Sequence, residues 1–315
     1  MKITSVFYPT DDKGNTVHAH GGVILEDNGV WYWFGERTRY HNWFFNGINC
    51  YSSRDLLKWK YEGLSLPPSD SGRLSHTTVA YRPKVLFNSI INRYVMFISA
   101  CDGDCKGGHL EFAVADSIIG PYRIVNSCYG DGGRHIMDMT VFKDDDGLAY
   151  VFYSANTDKT GHWIDRLSSD YLSIVSTVGH PSEYEREAPC VLKTGGIYYL
   201  YYSECTGWVP NQGHYVTSSS LAGPWSTEKD FGDSTTYGSQ GYCFLQVSGK
   251  YGPVYIYAGD RWDNSGAKGP GDPCDFNKCF YTWFPMRVEG QSLSLDFTQT
   301  WELNLADPSN KDSGE

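Results

Sequence analysis

One unit recurs along this chain, and it restricts the fold more than composition does. The unit is a polar residue, a short apolar run, a turn carrying Gly, Asp or Asn, and an aromatic-rich run. It reads HAHGGVILEDNGVWYWFGE from His18, RPKVLFNSIINRYVMFIS from Arg82 and MDMTVFKDDDGLAYVFYS from Met137. It returns as EAPCVLKTGGIYYLYYS from Glu187 and QGYCFLQVSGKYGPVYIYAGD from Gln240. Aligning His20, Arg82, Asp138, Glu187 and Gln240 gives steps of 62, 56, 49 and 53 residues. Tyr, Val, Ile and Phe runs bounded by turn residues read as strands. Behind four of these hairpins a second segment reads as outer strands, for example INCYSSRDLLKWKYEG (48–63) and HYVTSSSLAGPWSTE (214–228). Repeats of this length mark four-stranded propeller blades. The expected fold is all-β, one five-bladed β-propeller over residues 1–305 with 306–315 as a flexible tail. An irregular β-sandwich is the alternative, and five similar units speak against it.

The first strand of each propeller blade lines the central channel, so the five opening residues meet at one end of it. Glu187 therefore need not be a solvated turn residue. A carboxyl at a narrow mouth beside other acids has a raised pKa suited to proton donation. Asp138, by contrast, has a local reading as well, accepting a backbone N–H in a turn. The run Asp144–Asp146 falls in a hairpin turn far from the axis and reads as solvated.

Partner class follows from charge and rings. A net charge of −11 and no basic run exclude a nucleic-acid stripe and disfavour anionic polymers and headgroups. Twenty-four Tyr and ten Trp beside acidic residues suit a neutral carbohydrate, whose C–H faces stack on rings while carboxylates accept its hydroxyls. No apolar run reaches membrane-span length. Among the nine cysteines, Cys101/Cys105 and Cys274/Cys279 are close enough in sequence to close small loops. No paired Cys-x-x-Cys knuckles occur, and His18 and His20 lack a third ligand, so no metal or cofactor is expected. Residues 1–17 lack an apolar signal segment. The expectation is a monomer acting outside the cytoplasm with its leader absent from this chain, a cytoplasmic protein being the alternative.

Eight stretches in order are similar to glycoside hydrolase family 43, and within it to the exo-β-1,3-galactanase branch. They are AHGGVILEDNGVWYWFGE, NCYSSRDLLKW, RPKVLFN, DMTVFKDDDGLAYV, SECTGWVPN, SSSLAGPW, Ser239–Gln240 and YAGDRW, spanning about His18 to Met286. The resemblance implies an inverting hydrolase of β-1,3-galactan with Glu187 as general acid and Asp138 as the carboxylate that tunes it. Most of that family opens blade one with an Asp base, whereas this chain reads HAHGGV. The branch resemblance instead assigns the water to Gln240. It also implies Glu36, His20, Asn156, Thr206 and Trp208 as sugar-binding residues, with Trp208 or Trp262 stacking under the terminal galactose. Tyr81 stands where the branch carries a glutamate, a bulkier and neutral group in the sugar subsite. That change admits two alternatives, a galactan-binding propeller with little turnover or a family 43 glycosidase of shifted specificity.

Overall fold

The computed structural model describes residues 1–37, 44–70, 73–103, 105–155, 158–263, 265 and 274–306. Five antiparallel sheets are arranged around an axis. Blade I holds His20–Asp27, Val30–Glu36, Ile48–Ser53 and Lys60–Leu66, paired in that order. Blade II holds Val79–Asn88, Arg93–Cys101, His109–Ala115 and Arg123–Cys128, and blade III Met139–Lys143, Ala149–Ser154, His162–Leu167 and Ile174–Ser182. Blade IV runs Glu187–Thr194, Ile197–Ser203, Gly213–Ser218 and Lys229–Phe231. Blade V takes Gln240–Gly249, Gly252–Arg261 and Phe280–Glu289 from the end of the chain. Its outer strand is Val6–Phe7 from the beginning, and Ser292–Leu295 adds a further pairing. Inner strands of successive blades lie side by side, the fifth against the first, so the ring is closed. This five-bladed propeller is the fold the repeat implied, and its inner strands begin within three residues of the aligned positions.

Sheets packed face to face must bury one apolar surface per seam, and the core divides accordingly. Trp33, Trp59, Tyr242 and Trp283 fill the seam between blades V and I. Phe34, Ile48, Val85 and Met96 fill the I–II seam, and Phe97, Phe112, Met139 and Val151 the II–III seam. Phe152, Ile164, Leu200 and Val216 join blades III and IV, and Tyr201, Phe231, Tyr257 and Phe284 join IV and V. The surplus of aromatic residues thus serves the seams first.

The axis is filled by a cation. Lys84 is 2% exposed and donates from Nζ to the carbonyls of Gly21 (2.8 Å), Gly22 (2.5 Å) and Tyr242 (3.2 Å), tying blade II to blades I and V. Among the described residues no group of three or more His, Cys, Asp or Glu side chains is placed to hold a metal ion.

The Asp144 turn is not simply solvated. Asp144 bonds Lys193 and accepts from the Tyr198 hydroxyl at 2.5 Å, and Lys193 also pairs with Asp145 at 2.7 Å. The acidic turn of blade III therefore pins it to the hairpin of blade IV.

Candidate active site

Four of the five inner strands bulge where they reach the axis. Pairing slips between His20 and Val23, Tyr81 and Lys84, Glu187 and Cys190, and Gly241 and Cys243. A bulge bends the strand and re-aims its side chains. Within three of these bulges the backbone turns left-handed, at Gly21 (φ 63°), Arg82 (φ 56°) and Ala188 (φ 55°). A residue with a side chain gives up about 1–2 kcal/mol there. Each left-handed residue points its N–H at a nearby carboxylate. Gly21 donates to Asp260 at 2.9 Å, Arg82 to Glu36 at 3.1 Å and Ala188 to Asp138 at 2.8 Å. In each case the acid comes from the preceding blade or from the residue just before its first strand. One local device, repeated around the ring, gathers the acids. At Gly21 a Cβ would lie 2.3 Å from Glu36 Oε1, so any side chain there displaces that carboxylate.

Arg82 is the hub of this cluster and 6% exposed. Its guanidinium reaches Asp138 Oδ2 from Nε at 3.0 Å and from Nη2 at 2.8 Å. It also reaches Gln240 Oε1 at 2.9 Å and the Gly241 carbonyl at 3.3 Å. Sequence reading placed Arg82 at an axial position without assigning it to the site. The signal was the repeat itself, in which Arg82 of RPKVLF occupies the slot of Glu187 in EAPCVL.

Gln240 is fully engaged. Its Oε1 accepts from Arg82 and from the Trp262 indole at 3.0 Å, while its Nε2 donates to Glu187 Oε1 at 2.8 Å and Ser203 Oγ at 3.0 Å. Arg and Trp N–H groups can only donate, so the orientation of the amide is dictated by its neighbours. Both acceptor positions on its oxygen are taken, and holding a water there requires one donor to move away.

The electrostatics favour protonated acids. Burial, and then the nearby Asp138 carboxylate, push the Glu187 carboxyl up to about 8, against the opposing pull of Arg82 and the Gln240 N–H. Burial likewise carries Glu36 up to about 8 despite its bond from Arg82. Because Glu187 Oε1 accepts an N–H from Gln240, the acidic proton belongs on Oε2. At neutral pH this carboxyl is held protonated and can donate.

These groups form one side of a cavity of about 420 Å³. Glu36, Tyr81, Asp138, Glu187, Trp208, Gln240 and Trp262 all line it, together with Arg82, Met137, Cys105 and Cys205. Tyr81 meets Met137 Sδ at 4.0 Å, and burial followed by Asp138 holds its phenol well above its ordinary range, so it is a neutral donor. Trp208, Trp262 and Phe276 stand edge to face at 5.1–5.9 Å and build an aromatic wall. Two expected sugar contacts lie elsewhere. His20 is 1% exposed, bonded to Asp260 at 2.8 Å and stacked on Tyr281 at 4.7 Å, beneath the wall. Thr206 does not line the cavity; it is bonded to the Val209 carbonyl and Asn211 at 2.6 Å and shapes the loop that presents Trp208. Asn156 lies outside the described residues. Phe44, Phe45, Asn46 and Phe276, which also line the cavity, carried no signal in the repeat because they come from loops.

The chain is similar to known glycoside hydrolases. The model of glycosyl hydrolases family 43 matches residues 18–241. An exo-β-1,3-galactanase from Clostridium thermocellum superposes with a TM-score of 0.88 at 32% identity, over 96% of this chain and 67% of its own. A glutamate-to-glutamine variant of the exo-β-1,3-galactanase from Phanerochaete chrysosporium, solved with β-1,3-galactotriose, gives 0.88 at 30% identity over 96% and 68%. A family 43 β-1,3-galactosidase solved with galactodeoxynojirimycin gives 0.83 at 28% over 96% and 100%. No curated protein is a significant match.

Proposed function

This chain belongs to glycosyl hydrolases family 43, and on that premise we propose that it is an exo-acting, inverting hydrolase of β-1,3-galactan. It removes galactose from the non-reducing end, as on arabinogalactan side chains, and acts as a monomer outside the cytoplasm. The observation that carries the reading is the loaded Glu187, protonated near neutrality by burial and Asp138 and aligned by the Gln240 amide. Similarity to galactanases and a galactosidase supports galactose as the terminal sugar.

In an inverting reaction an acid protonates the leaving oxygen while water attacks the opposite face of the sugar. Glu187 gives its proton to the glycosidic oxygen. Asp138, ion-paired with Arg82 at 2.8 Å, keeps negative potential beside the acid and the developing oxocarbenium charge. Gln240 takes the water when substrate entry draws Arg82 off its oxygen, while the Trp262 indole keeps the amide in place. Trp208 lies under the sugar ring, and Glu36 bonds a sugar hydroxyl. The test is product analysis on β-1,3-galactotriose by NMR, with Glu187→Gln as control. Galactose appearing first as the α-anomer from wild type alone supports the reading; equal release by both proteins sinks it.

Tyr81 favours a second reading. Its neutral hydroxyl faces a thioether and cannot accept as a carboxylate does, so the subsite is suited to a sugar with one hydroxyl fewer or differently placed. Turnover of aryl arabinosides or xylosides with galactotriose untouched establishes shifted specificity. Galactotriose bound without any product marks a binding protein.

A further inference from the structure

The aromatic wall is built over a pair of thiols that the proposed chemistry does not use. Cys274 and Cys279, 5% and 2% exposed, flank Phe276 in a small cluster against which Trp208 and Trp262 pack. Their sulfurs are 3.5 Å apart. The Cys279 sulfur also accepts the Asp263 backbone N–H at 3.2 Å, one residue beyond Trp262. The short helical turn Phe276–Lys278 between them is held by Asp275, which accepts from Asn277 N at 3.2 Å and pairs with Lys278 at 3.2 Å. The two sulfurs are thus in contact within a chain segment already bent to bring them together. Bonding requires the sulfurs to approach by only about 1.5 Å more.

We propose that Cys274 and Cys279 are a covalent cross-link site, a disulfide that closes the Cys274–Cys279 turn under the aromatic wall. It thereby fixes Trp262 against Gln240 and Phe276 against the cavity. The cross-link forms as the chain folds, before burial shuts out the oxidant. One thiolate attacks glutathione disulfide, giving a mixed disulfide and releasing one glutathione thiolate. The second cysteine then attacks the protein sulfur and displaces the other glutathione. The two thiol protons leave on the two glutathiones, and the protein loses two hydrogen atoms. In the finished fold the bond is covered and resists reductants until the protein is unfolded.

The cross-link itself is independent of the proposed reaction, whereas its effect on Gln240 rests on that reading, and the experiment separates them. The whole chain is refolded in mixed reduced and oxidised glutathione, unfolded, alkylated and digested without reductant. A linked Cys274–Cys279 peptide, two hydrogens lighter than the reduced pair and unalkylated, is expected. Full alkylation of both, or either one linked to another cysteine, overturns the proposal. Binding of β-1,3-galactotriose to Glu187→Gln is then compared with Glu187→Gln carrying Cys274→Ser and Cys279→Ser. Affinity about three- to tenfold weaker in the uncross-linked protein is expected, since its wall must be ordered on binding. Equal affinity overturns the wall-fixing role, and no binding by either protein overturns the galactan reading instead, leaving the peptide result to decide the cross-link.

Discussion

At the scale of single residues, the Glu187 carboxyl held near 8 makes the proposed reaction pH-dependent. If Glu187 is the acid, kcat/KM falls about tenfold per pH unit above pH 8 as its proton is lost. Glu187→Gln, which keeps the shape and loses the proton, is expected to lower kcat roughly 10²–10⁴-fold and to abolish that alkaline limb. An unchanged limb in the variant assigns the titration to another group. Trp262 offers a finer test, since its indole N–H holds Gln240 Oε1. Trp262→Phe keeps a ring on the wall but deletes one hydrogen bond of about 1 kcal/mol. A loss of roughly fivefold in kcat with little change in KM is expected from steady-state kinetics. A raised KM with unchanged kcat means that Trp262 only stacks on the sugar.

At the scale of strands and turns, the hairpin joint between blades III and IV is the clearest departure from the sequence reading. Asp144→Ala removes the acceptor of the Tyr198 hydroxyl and leaves Lys193 with Asp145 alone, and is expected to cost about 1–3 kcal/mol in urea unfolding. Activity at low temperature should be intact, because the joint is far from the axis. Loss of activity without loss of stability contradicts a purely mechanical role. Blade positions were legible because turn residues and period-two alternation are local signals. Glu187, Asp138 and Gln240 were legible because the repeat carries them to one end of the channel. The bulges at Arg82 and Ala188 were not, since a bulge is defined by how a strand pairs with its neighbour, which the run itself does not encode. Thr206 and His20 are off the cavity lining for a related reason. Their sequence positions neighbour cavity residues, but side-chain direction, which decides contact, depends on loop and bulge geometry that no period encodes. Phe44 and Phe276 were missed because their loops come to the cavity only through tertiary packing.

At the scale of the whole molecule, the ring holds together because its two ends share blade V. Val6–Phe7 pairs with the strand Phe280–Glu289, Lys2–Thr4 pairs with Thr300–Glu302, and Phe7 meets Trp283 edge to face at 5.0 Å. Phe7→Ala is expected to loosen the V–I seam by about 2–4 kcal/mol, measured as a drop in the thermal midpoint. The enclosed acids impose a second, pH-dependent contribution. In the folded chain Glu36 and Glu187 titrate near 8, against the ordinary value of 4.5 that applies once the chain unfolds. Between those values the folded protein holds protons the unfolded one has released. This stabilising contribution is complete below about pH 4.5 and is lost as pH rises through 8. Glu36→Gln retains an oxygen that can accept the Arg82 N–H while removing the titration, so its advantage over wild type must widen with pH. A tenfold difference in proton affinity between folded and unfolded chain corresponds to about 1.4 kcal/mol. The gap at pH 9 relative to pH 5 is therefore expected to reach a few kcal/mol. The measurement is a pair of thermal-unfolding series from pH 5 to 9. Parallel curves mean that Glu36 ionises in the folded chain as freely as in the unfolded one, and that the cavity is wetter than its enclosure implies.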